Sequence, residues 1–178
     1  MLRNSATRLI LSAALVAGLA ACSGGAPADA PADAPSDAAA TPEAGAPVDV
    51  QAVLKERHDN FEAIGDNFKA LRGELEKDAP DFTLIAAKAS DINTRALKIE
   101  GHFPAGTSVD DGLKTDALAT IWEKPEEFKA AAQKLVDESA KLVTVAGGSD
   151  KAAVGAQAMA MGGACKGCHD KFRLDDKK

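Results

Sequence analysis

The sequence predicts an all-α domain, an antiparallel four-helix bundle with one long crossover between helices two and three. Three observations carry this. Tyr is absent and aromatic residues make up only 4% of the chain, while alanine is abundant; that balance favours helices over the β-branched and aromatic surfaces of sheets. Apolar residues recur at alternating steps of three and four in four separate stretches, which puts each set on one face of a helix. Helix start and stop residues, Pro80-Asp81, Pro125 and Gly147-Gly148, stand at the ends of those stretches.

The first stretch runs through Leu54, Arg57, Phe61, Ile64, Phe68, Leu71 and Leu75. The second follows Pro80-Asp81 with Ile85, Ala89, Ile92, Ala96 and Ile99. The third opens at Pro125, with Glu126 and Glu127 in its electropositive first turn, and carries Phe128, Ala132, Leu135, Ser139, Leu142 and Ala146. The fourth begins after Ser149-Asp150 and carries Val154, Ala158, Met161, Cys165, Cys168 and Phe172. About five residues join the first pair and a Gly-Gly-Ser turn joins the last pair, so both pairs are antiparallel neighbours. Gly101–Lys124 must cross the bundle, and Thr115–Trp122 within it is a candidate short helix.

The N-terminal segments are of another kind. Residues 1–21 have a basic start, Arg3 and Arg8, and a 13-residue apolar run, Leu9–Ala21. Such a run spans about 20 Å as a helix, short of a bilayer core of about 30 Å, and reads as an export signal. Leu19-Ala20-Ala21-Cys22 resembles a bacterial lipobox, which implies cleavage before Cys22, lipidation of its sulfur and membrane attachment. Ser23 in place of Asp implies sorting to the outer membrane, on the periplasmic face of the cell envelope. Cleavage removes Arg3 and Arg8 from the 21 basic residues and none of the 27 acidic ones, taking the net charge from −6 to −8. Residues 22–47 hold five of the eight prolines, no base and no aromatic, and cannot bury enough apolar surface to order themselves; they are expected to form a tether. Residues 48–178 suffice for one folded domain. The acidic balance argues against nucleic acid, whose phosphates need Lys and Arg.

The chemistry lies near the end of the fourth stretch, in Cys165-Lys166-Gly167-Cys168-His169, the attachment motif of haem c. On a helix these three side chains crowd one face. Two thiols can add across the vinyl groups of one covalently held haem while the imidazole of His169 reaches the iron. A redox dithiol would want a preceding strand, zinc a fourth ligand, and a disulfide between residues three apart would be strained. Gly162, Gly163 and Ala164 are small enough to let a flat macrocycle approach.

A four-helix bundle with this motif near its C-terminus resembles the cytochrome c′ family of class II c-type cytochromes. The resemblance covers roughly Val48–Arg173, including Arg57, the Ile121-Trp122-x-x-Pro125-x-x-Phe128 segment, and Ala164–Arg173. It implies that His169 is the proximal iron ligand, that Arg173 sits beside it, that Arg57 lies near a haem propionate, and that pairing as a homodimer is possible. It also implies that the residue four after the arginine covers the distal face, and here that residue is Phe61. Carbon cannot coordinate, so the expectation is a five-coordinate iron that binds NO, and CO, in an apolar pocket. The expected protein is a binding module rather than an enzyme.

The alternative is a one-electron carrier docked to a redox partner by a basic end of Lys166, Lys171, Lys177 and Lys178. Arg57, a charge at a seam position, demands a buried partner, which a propionate or Glu100 could supply. His58 is expected to flank the seam, His102 to sit on a surface loop, and Met159 and Met161 to be core.

Overall fold

The computed structural model describes residues 49–175. The bundle consists of α1 (Val50–Glu76), α2 (Phe82–Ala96), α4 (Pro125–Ala146) and α5 (Lys151–Phe172), with a one-turn helix α3 (Thr120–Glu123) at the end of the crossover. No strand occurs among the described residues; one isolated antiparallel bridge joins Ala117 to Arg173. Among the described residues no helix is long and apolar enough to cross a membrane. The export signal, Cys22 and the tether lie outside the described residues, as do Lys177 and Lys178.

Each long helix starts where its capping chemistry places it. Asp49 Oδ1 accepts from the Gln51 and Ala52 amides at 3.1 Å each, and Asp150 Oδ1 accepts from Ala152 and Ala153 at 2.9 and 3.2 Å. Asp81 accepts from Leu84 N at 2.9 Å. At α4, Pro125 fills a first-turn position where no amide hydrogen is needed. The core is the apolar stripe of each helix, with Leu71, Ile85, Ile92, Leu142, Val154 and Met161 all fully buried.

α2 packs against α4, α4 against α5 and α1 against α2, whereas α1 and α5 meet at few points. That incomplete closure positions the site. Polar side chains set the register of the tight pairs. Asn93 of α2 donates to Val136 O at 2.8 Å and Ser139 Oγ at 3.1 Å on α4, and buried Asn60 of α1 donates to Arg95 O of α2 at 3.3 Å.

Four details depart from the sequence expectations. Thr115–Trp122 is helical only from Thr120, because the chain before it is extended: Leu174 N donates to Asp116 O at 2.7 Å and Leu118 N to Phe172 O at 3.1 Å. The second stretch stays helical only to Ala96, and Ile99 is buried just before the 3₁₀ turn Glu100–His102. Met159 is not core but 74% exposed; two residues from Met161, it lies about 200° round the helix. His102 is not a surface residue either. It is half-buried, and its Nε2 is buried without a hydrogen-bond partner.

Candidate haem site

A cleft of about 680 Å³ opens where α1 and α5 part, with α4 at its back. One wall is the C-terminal half of α5. Helical spacing brings Cys165, Cys168 and His169 onto this wall beside Ala164 and Phe172. Both cysteines are free and half-buried. Burial raises the Cys165 thiol above its ordinary pKa and pushes that of Cys168 up to about 11, with Cys165 adding to the second shift. These are protonated thiols at neutral pH, unlike the thiolates of redox dithiols and metal sites. Among the described residues no three His, Cys, Asp or Glu side chains cluster to hold a bare metal ion.

Burial, and then the charge of Arg173, hold His169 below the usual histidine pKa, with Asp170 opposing. A neutral imidazole is the form that ligates iron. Arg173 lines the same cleft and reaches Asp116 at 3.4 Å. Of the three small residues before the motif, Ala164 lines the cleft, whereas Gly162 accommodates the ring of Phe68: a Cβ there would stand 3.2 Å from Phe68 Cζ.

The other wall is α1, with Arg57, His58, Phe61, Ile64 and Phe68 on the cleft. Arg57 is buried, and its partners are neutral oxygens of the crossover rather than Glu100. Nε donates to His102 O at 2.9 Å, Nη1 to Thr107 O at 2.9 Å and Thr115 Oγ1 at 3.2 Å, and Nη2 to Thr107 Oγ1 at 2.5 Å. Four of its five N–H groups are thereby used, one on Nη2 remains, and burial lowers the guanidinium's pKa. The guanidinium also stacks over Phe103, 4.2 Å from the ring centroid.

Phe103 in turn meets Phe61 edge-on at 6.1 Å, Phe128 at 4.9 Å and Trp122 at 6.2 Å, and Trp122 Nε1 donates to its carbonyl at 3.1 Å. Phe61 is therefore one half of a double aromatic wall. Sequence reasoning missed the other half: Phe103 sits in the crossover, where no periodicity assigns it a face. His58 stands at the exposed edge of the cleft, its side chain 75% exposed with Glu62 at 3.8 Å.

The cleft fits a flat, largely apolar macrocycle. It has two thiols and a neutral imidazole on one wall, aromatic rings on the other and a buried cation at its rim. Residues 52–173 match the family profile described as Cytochrome C'. The chain belongs to the cytochrome c′ family.

The cytochrome c′ of Pararhodospirillum photometricum is 36% identical over 124 residues, which cover 69% of this chain and 97% of that one. A solved cytochrome c′ of Rhodobacter spheriodes superposes with a TM-score of 0.66 at 30% identity, covering 72% of this chain and 99% of the other. A nitric oxide complex of a point variant of cytochrome c prime from Alcaligenes xylosoxidans superposes with a TM-score of 0.63 at 25% identity, covering 71% and 97%. Members of the cytochrome c′ family are four-helix bundles that carry covalently bound haem c.

Proposed function

We propose that this chain is a cell-envelope haem protein that captures NO, and CO less tightly, at an iron held by His169 alone. The observation that carries the reading is Phe61: a side chain with no donor atom, packed against Phe103 on the wall across the cleft from the cysteine and histidine residues. The haem supplies an iron that binds diatomic ligands.

The chain's own residues do the rest. Cys165 and Cys168 would hold the haem, each through one thioether made when its S–H adds across a vinyl double bond. His169 presents its neutral imidazole from the same helix face. The remaining N–H of Arg57 Nη2 is available to a propionate, while the other four hold the crossover that carries Phe103. Phe61 and Phe103 exclude water and offer no hydrogen bond, which disfavours bound dioxygen more than NO or CO. The nitric oxide complex of the Alcaligenes xylosoxidans relative supports the choice of ligand.

The electron-carrier alternative loses support at the basic end. Lys166 pairs with Asp170, Lys171 with Glu127 at 3.1 Å and Arg173 with Asp116. Among the described residues of that end, Lys166 and Lys171 are thus each offset by a carboxylate. The same proposal places residues 48–178 as the haem domain and residues 22–47 as a tether from a lipidated Cys22 at the outer membrane. Pairing with a second copy of the chain remains compatible with it.

The test is an optical and electron-paramagnetic spectrum of the purified haem protein, ferric and ferrous, with NO added to the ferrous form. A high-spin, five-coordinate spectrum that NO changes stoichiometrically is expected. A low-spin spectrum insensitive to NO contradicts the reading.

A further inference from the structure

Phe68 lines two cavities at once. It forms part of the haem cleft, seven residues along α1 from Phe61, and it also walls a second cavity of about 470 Å³ between α1 and α5. The lining of the second cavity includes Phe68, Leu75, Ala158 and Met159, with Arg72 and Glu76 as its charged members. It lies where the two helices meet at few points, and Met159 on its rim is 74% exposed, so the groove is accessible from solvent. Only the Phe68 side chain is common to both linings.

The half-buried ring packs against the core and, on the α5 side, against a residue without a side chain. Its tip rests against Gly162, where a Cβ would come within 3.2 Å of Cζ and 3.7 Å of Cε1. The Arg72 guanidinium stands 5.9 Å from the ring centroid. Neither contact is a hydrogen bond, and a half-buried aromatic ring in such surroundings changes rotamer at modest cost. Charged side chains stand at both openings, Glu62, Lys114, Asp116 and Arg173 on the haem cleft and Arg72 and Glu76 on the groove. An uncharged diatomic molecule partitions into apolar surroundings, which the groove offers along Phe68, Leu75, Ala158 and Met159.

We propose that Phe68 is a gate between this groove and the haem cleft, and that the groove is an entry and waiting site for small uncharged diatomic ligands. The proposal rests on the gas-binding function above. A gate changes entry and escape together and leaves the equilibrium almost untouched.

The test uses the haem-loaded full chain and laser photolysis of bound CO. Phe68→Leu, which keeps an apolar side chain but shortens it, should speed CO association and escape severalfold, both in the same direction. Phe68→Trp should slow both. In crystals of the wild-type protein under xenon pressure, xenon should occupy the groove beside Phe68, a readout independent of iron chemistry and of any variant's stability. CO rates equal to wild type in both variants overturn the gate, as does an affinity change with unaltered association, or a groove without xenon. A wild type that takes up neither CO nor NO overturns the gas-binding function together with the gate. A wild type that binds CO at rates indifferent to residue 68 removes the gate alone.

Discussion

Arg57 shows how much one side chain organises. It reaches from α1 into the crossover, satisfies two backbone carbonyls and two threonine hydroxyls, and supports the Phe103 ring that backs Phe61. Arg57→Ala leaves those oxygens buried without donors and should cost about 2–4 kcal/mol, because an unmet buried acceptor costs more than a made bond gains. Denaturant unfolding of the haem protein measures it. Arg57→Lys should recover only part, since an ammonium cannot reproduce the planar fork. The sequence showed that a charge at a seam position needs a buried partner. It did not show which, since Thr107 and Thr115 lie 50 and 58 residues away in a segment without periodicity. Met159 and Met161 teach the converse: composition marks both as apolar, and only the helix phase separates the buried one from the exposed one.

The helices were legible from their apolar period, and at α2, α4 and α5 a start signal agreed with it, as at Pro125 and Asp150, whereas the Asp49 cap of α1 was not read. Asp150→Ala removes the oxygen that accepts two first-turn amides of α5 and should destabilise by about 1 kcal/mol in thermal unfolding. The crossover is different. Its order comes from tertiary bonds and from the Ser108–Asp111 capping box, in which Asp111 Oδ2 accepts from Ser108 N at 2.7 Å and Ser108 Oγ at 2.6 Å. The Ser108 side chain, and then its amide, hold the Asp111 carboxyl below its usual pKa. A carboxyl depressed in the folded state contributes stability that is full above its unfolded pKa and lost as pH falls through the folded one. Amide protection factors in Ser108–Gly112, taken relative to intrinsic exchange, should therefore fall as pH drops below the ordinary aspartate range, and Ser108→Ala should lower them at neutral pH and flatten that dependence. An exchange pattern indifferent to Ser108 would contradict the capping account.

For the whole molecule, four helices leave a gap between α1 and α5, and that gap is the site. The motif at Cys165–His169 marked one wall of the cleft in the sequence, and the family resemblance pointed to Phe61, which lines the same cleft from α1. Phe103, and the doubled use of Phe68, come from the way the crossover and α1 pack, which one-dimensional periodicity does not carry. Because the cleft walls are apolar, the bundle should depend on its cofactor. Replacing Cys165 and Cys168 together by Ala should lower helicity and protease resistance, since a large core void costs stability steeply and the bound group no longer favours the folded state. An unchanged thermal melt of that variant would contradict this. At the other end of the chain, Cys22→Ala should release the haem protein from membrane fractions, and continued membrane association would rule out the lipid anchor. The central claim is that Phe61 alone denies the iron a sixth ligand from the chain, and Phe61→Met tests it most directly by placing a flexible thioether at the same point of α1. The optical and spin-state spectra of wild type, Phe61→Met and the exposed-site control His58→Ala should show high-spin, low-spin and high-spin iron respectively, with NO binding slowed only in the methionine variant. A wild type that is already low-spin, and that only His58→Ala converts to high-spin, would contradict the account.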